Sequence, residues 1–419
     1  MADDLVGRHR LSPNAIAGAV LAVFVVAVLI WQQPWHADPK PAPKPASDAS
    51  VAIAAQFNRL ARATKESDFL GAAGDSTEGK TFGERTYANV RALGATEIGM
   101  RFVSGGLPGQ RADGGTEATV DVTWRPGTSS GLSPVQTQQA VVTFVLDPIQ
   151  GNRFAIRDAK RDSGALPLWL AGELGVTRSD GATVISIDGG NSGSPIDKEA
   201  DRAHSAVSKV VTSAKERLVV VSPHTQDQAA ELLDQSVGAI DQIAAVTTTL
   251  DASSNSKAAT VIVLNPKVFA TMDSRAAQIV MSHEATHMMT KAAMTNIDTW
   301  ISEGFADYVA LHDDKASLKV SAGQILRAVK KDGAPDHLPT STDFGASQHG
   351  LGATYESAWM IFRMLGENYG DKHVLAFYND VLAGTTTDKA VQKAFGLSVG
   401  DITRDWRAYL AEKSASITS

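Results

Sequence analysis

The chain has 419 residues, enough for two or three domains, and 43% of them are hydrophobic, so sizeable cores can be buried. Its net charge of −7 comes from well-mixed signs with no basic stripe, which points away from a nucleic-acid partner. Having no cysteine, it forms no disulfide, uses no thiolate metal ligand and carries no cysteine nucleophile.

From Leu11 to Trp35 no charged residue occurs, and Ala15 to Trp31 is continuously small or apolar. About 20 such residues cross a bilayer, and Trp31 and Trp35 suit its interface. No small-x-small cleavage site closes the run, because Gln32, Gln33 and Pro34 follow it. Residues 11–35 therefore read as an uncleaved transmembrane signal anchor. Arg8 and Arg10 make residues 1–10 its cytoplasmic tail. Residues 36–50 alternate Pro with Lys, Ala and Ser, a semi-rigid extended spacer.

Residues 51–188 read as an α+β module. A helical pattern runs from Val51 to about Leu70. Strand-like alternation follows in Glu97–Val103 and Ala118–Trp124. Gln139–Leu146 and Arg153–Asp158 flank a hairpin-type loop that opens with Asp147 and Pro148. A helix followed by a curved antiparallel sheet resembles the NTF2-like fold. No catalytic constellation occurs in this stretch, so its expected role is a spacer or a protein-docking module.

Residues 189–195, rich in Gly and Ser, read as a linker. Beyond it, residues 196–419 read as a second domain. It has a helix from Ala200 to about Lys215 and a small sheet from Arg217–Ser222, Ile243–Leu250 and Ala259–Leu264. A helix over Gln226–Gln235 joins the first two of these strands. Helices after Tyr355 form a C-terminal helical part, in which Ile402, Trp406 and Leu410 make an i, i+4, i+8 core stripe.

Two stretches of this domain carry chemistry. His283-Glu284-Ala285-Thr286-His287 follows the helix-start signal Asp273-Ser274. Residues four apart share a helix face, with Cβ atoms about 6 Å apart, so His283 and His287 can grip one ion. Glu284 lies beside them, placed to take a proton from a water activated at that ion. The second stretch runs from Trp300 to Leu311, where Glu303 and Asp307 are the only charges in a helix apolar nearly all round. A buried carboxylate is costly unless it is paired or binds metal. Glu303 is thus the natural third ligand, and Asp307 the acceptor that orients a ligand histidine.

H-E-x-x-H followed by W-x-x-E-G-x-A-D-Y resembles the gluzincin zinc metallopeptidases, most closely the peptidase-MA-like group of bacterial membrane proteins. The resemblance implies one Zn²⁺ held by His283, His287 and Glu303, with Glu284 as general base and Asp307 behind the ligands. Fifteen residues separate His287 from Glu303, fewer than in the best-known gluzincins. The metzincin pattern fails, because it needs Gly and His where Thr290 and Ala293 stand. Gluzincins also use a Tyr or His from the C-terminal half to donate to the oxyanion; Tyr355 is the candidate and His349 the reserve. The Gly-x-Met-Glu-Asn element that anchors a substrate amino group in one group of aminopeptidases is missing upstream of His283, which favours an endopeptidase.

The expected protein is a multidomain α+β zinc metallopeptidase in a bacterial cell membrane, single-pass, with its catalytic domain outside the cytoplasm. It would act on peptides or proteins, with a protein partner for residues 51–188. The competing expectation is a catalytically silent, membrane-tethered scaffold that retains its zinc site.

Overall fold

The computed structural model describes residues 47–105, 111–127, 131–132, 136–150, 153–190, 195–250, 259–345 and 350–417. Among these no helix is long and apolar enough to cross a membrane; the anchor expected at 11–35 lies outside them.

Three helices open the described chain: α1 (Ser47–Arg62), α2 (Glu66–Ala73) and α3 (Thr77–Leu93). The first turn of α1 takes up the last residues expected in the spacer. The single expected helix is two, broken between Arg62 and Glu66. A four-stranded antiparallel meander follows, β1 (Thr96–Gly105), β2 (Thr116–Arg125), β3 (Gln138–Ile149) and β4 (Arg153–Ser163), in the order β1-β2-β3-β4. Along β2 the side chains of Ala118, Val120, Val122 and Trp124 are buried and those between them are not, the period of two that puts one face on a core. The helices cover that face. Phe57 of α1 and Phe82 of α3 both meet Phe144 of β3, at ring-centroid distances of 4.7 and 6.3 Å.

The second sheet has five strands: β5 (Leu174–Arg178), β6 (Ala182–Ile187), β7 (Leu218–Ser222), β8 (Ala245–Thr249) and β9 (Thr260–Leu264). Their order is β5-β6-β7-β9-β8, parallel through β6, β7 and β9 and antiparallel at both edges. This corrects the expected division of the chain. β5 and β6 precede residues 189–195, yet β6 pairs with β7 along its length, so a boundary there would split one sheet. The two sheets part after β4. Buried Asn89 of α3 fastens them together: its Nδ2 donates to the carbonyls of Trp169 and Gly172, and its Oδ1 accepts from the Leu174 N–H at 3.1 Å.

Helix α4 (Ile196–Val210) connects β6 to β7, and α5 (Gln226–Leu232) follows β7 under a Thr225 capping box. After β9 come the short α6 (Pro266–Phe269), then α7 (Ser274–Thr290) and α8 (Thr299–Ala310), which carry the two motifs. The remainder is helical: α9 (Leu318–Ser321), α10 (Gly323–Asp332), α11 (Leu351–Tyr369), α12 (Asp371–Leu382), α13 (Thr387–Phe395) and α14 (Val399–Ser416). On α14, Ile402, Trp406 and Leu410 are fully buried, the stripe expected of them.

Helix α10 has no sequence forecast, and the reason is tertiary. No side chain near its start caps it. Its Ile325 N–H instead donates to the Glu356 carboxylate of α11 at 2.8 Å. Burial pushes the Glu356 carboxyl up to about 8, against the Ile325 and Gln324 N–H groups that favour its charge. An unfolded Glu ionises near 4.5, so between about 4.5 and 8 the folded chain holds a proton that the unfolded chain has lost. Stability should therefore be fullest below this window and fall as pH rises through it, by up to about 1.4 kcal/mol per pH unit. Thermal unfolding of wild type and Glu356→Gln across pH 5–8 checks this, since the variant should lose most of that slope.

Candidate metal centre

Helix α7 starts where Asp273 accepts the Ala276 N–H at 2.8 Å and ends on Lys291 in the left-handed conformation, φ 58°. Between these ends His283, Glu284 and His287 are all buried. Helix α8 crosses close by and is itself pressed against α11 at Gly304. A Cβ there would meet the Ala358 carbonyl oxygen at 2.7 Å, so the glycine of the second motif is required by backbone approach.

The five expected residues converge. His283 Nδ1 lies 2.7 Å from Asp307 Oδ1, which turns Nε2 toward Glu303 Oε2 at 3.2 Å. His287 Nε2 lies 2.9 Å from His283 Nε2 and 3.5 Å from Glu303 Oε2. A tetrahedral ion with ligand atoms ~2.1 Å from its centre needs them about 3.4 Å apart, and the three separations bracket that value. His283, His287 and Glu303 are, among the described residues, the cluster that could hold a metal ion. Two neutral imidazoles and one carboxylate are a zinc donor set, and the residues present fit the ion.

Electrostatics agree with this arrangement. Burial opposes charge on Glu303, but His287 and His283 beside it outweigh that cost and hold its carboxyl down at about 2. On His283 burial also opposes charge, and Asp307 and Glu303 overcome it to raise the imidazole well above its ordinary range. Glu284 responds the other way. Burial raises its pKa, with His283 and His287 only partly compensating.

Several neighbours carry no local sequence signal. Thr247 of β8 donates to the Glu284 carboxylate at 2.6 Å and also lies 2.9 Å from its main-chain oxygen. Ser302 Oγ stands 3.5 Å from His287 Nδ1. Tyr378 of α12 stacks on Phe305 at 3.7 Å, with its hydroxyl 3.3 Å from Thr290 Oγ1. Each of these contacts joins two elements, which only the packing identifies.

Tyr355 does not join them. It is fully buried in α11, its ring edge-on to Phe344 at 5.2 Å, and it does not line the cavity beside the ligands. The expected oxyanion donor is thus a core residue, because the start of α11 faces inward. His349 lies outside the described residues. His312, His337 and His373 are exposed. A larger cavity of about 480 Å³ sits behind α7, but its Arg275 and Lys209 are already paired with Asp314 and Asp313.

Residues 254–412 match the family model of the Peptidase MA superfamily. The match spans α7, α8 and most of the helical C-terminal part, and it supports a domain of peptidase-MA, gluzincin-like kind. A search of curated proteins finds no match to the chain.

Because Asp307 fixes the tautomer of His283, Asp307→Asn should weaken zinc binding about 10- to 100-fold while the chain stays folded. Competition against a chromophoric chelator, with circular dichroism alongside, measures both. Unchanged affinity would remove Asp307 from the site.

Proposed function

We propose that this protein is a zinc-dependent peptide hydrolase, an endopeptidase, tethered to a bacterial cell membrane by residues 11–35 with its folded part outside the cytoplasm. The observation that carries the hydrolase reading is the buried His283–His287–Glu303 cluster, with Glu284 beside it and Asp307 behind it. A zinc ion there supplies a Lewis acid for the scissile carbonyl and lowers the pKa of water to about 7.

The chain's own residues do the rest. His283 and His287 present Nε2 toward the ion from one face of α7, and Glu303 adds a negative charge. Glu284, held by Thr247 and raised in pKa by burial, takes a proton from the attacking water and returns it to the leaving amine. Thr247 and Val246 of the edge strand β8 line the cavity. Among the described residues β8 pairs on one side only, with β9, so its other side suits an extended substrate main chain. The unit over residues 47–163 acts as a spacer or docking module.

Glu284→Gln should keep one zinc per chain and lose hydrolysis by at least about 10²-fold. Metal analysis together with a quenched-peptide digest tests this, and unchanged turnover would rule out Glu284 as the base. The same pair of measurements separates this reading from a silent scaffold, which would bind zinc and cleave nothing even as wild type. Thr247→Val should lower kcat about tenfold by releasing the Glu284 carboxylate, with zinc content unchanged, and Thr247→Ser should restore it. Equal kcat values in all three would show that the hydrogen bond does not position the base.

A further inference from the structure

Helices α4, α7 and the end of α8 enclose the cavity of about 480 Å³ behind the metal-binding helix. That volume falls within the roughly 300–1,000 Å³ of small-molecule sites. None of its lining residues lines the space beside the metal ligands. Its apolar wall is made by Ala206 of α4, Ile279 of α7, and Val309 and Ala310 of α8.

The acids around it are already engaged. Asp201 accepts from the Ser179 hydroxyl and from the Gly181 N–H at 3.2 Å. Asp313 pairs with Lys209, and Asp314 with Arg275. Two donors are left over. Arg202 Nε donates to Gln278 Oε1 at 2.6 Å, but among the described residues no carboxylate forms an ion pair with its guanidinium. Gln278 Nε2 in turn donates to Ser282 Oγ at 3.1 Å, and the buried Ser282 hydroxyl has no acceptor of its own among those residues. Gln278 thus joins an unpaired cation to a buried donor, and both border the apolar wall. A carboxylate suits the first pair and a hydrocarbon tail the second, because charge-assisted bonds to Arg are the strong ones.

We propose that this cavity binds a small free carboxylic acid with an apolar tail, its carboxylate on Arg202 and Ser282 and its tail against Ile279, Val309 and Ala310. The occupant would rest on both helices that carry the metal cluster, one residue from His283 and two beyond Asp307. The site shares no lining residue with the cleft, so it stands whether or not the chain hydrolyses peptides.

The test titrates the full chain in detergent, loaded with zinc, against 3-phenylpropanoate, its amide and acetate, with affinities read by ligand-observed NMR. The acid should bind at least about tenfold more tightly than the amide, which carries no charge, and than acetate, which lacks the tail. Arg202 is exposed, so Arg202→Gln should keep the fold and lower the affinity about tenfold. Ala206→Phe, which fills the cavity, should lower it at least as far, with circular dichroism checking its fold. A carboxylate can also reach the zinc. Affinity unchanged in Arg202→Gln, or in folded Ala206→Phe, would place the acid there and overturn the site. Equal binding of acid and amide, or of acid and acetate, or no binding of the acid, would overturn it too. Acetyl-Gly-Gly-Phe probes a peptide terminus as the alternative source of the carboxylate. Tighter binding than 3-phenylpropanoate, lost in Arg202→Gln, would give the cavity to a peptide end and overturn the free acid.

Discussion

The hydrogen bond between His283 and Asp307 holds the site together. Both groups are essentially removed from solvent, where an unpaired imidazolium or carboxylate would be costly. Joined at 2.7 Å, they satisfy each other and clamp α7 to α8. The bond also decides which ring nitrogen is left to face Glu303 and His287. Donor chemistry and helix packing thus depend on one contact.

Helix α8 also sits close to its other neighbour. Gly304 lets α8 approach α11 to the point where a methyl group would strike the Ala358 carbonyl. Phe305 and Trp300 fill the space on either side, stacked on Tyr378 and Phe377. A helix apolar nearly all round is stable here because it is surrounded. Its two acids, Glu303 and Asp307, point to the one side where histidines answer them.

On the opposite side of α7 stands the sheet, and β8 is its contribution to the cleft. Thr247 reaches from that strand to Glu284, so the base is positioned by an element distant in the chain from either motif. The cleft consequently has a rigid wall on one side and the anchored turn after Lys291 on the other.

Much of this was legible in the amino-acid order. Ligand spacing in α7 and α8 is local: four residues make a helical turn, so His283 with His287, and Glu303 with Asp307, must share faces wherever the helices lie. Strand alternation in β2 and the stripe on α14 are local in the same sense. Other features depend on residues far apart meeting in space. β5 and β6 joined the second sheet because β7 was available to pair with β6, which no composition shift at residues 189–195 reveals. Helix α10 formed because Glu356 caps it from α11, and Tyr355 went into the core because its helix faces that way. Short-range periodicity determined the chemistry of the ligands, whereas only long-range packing decided what holds them and what positions Glu284.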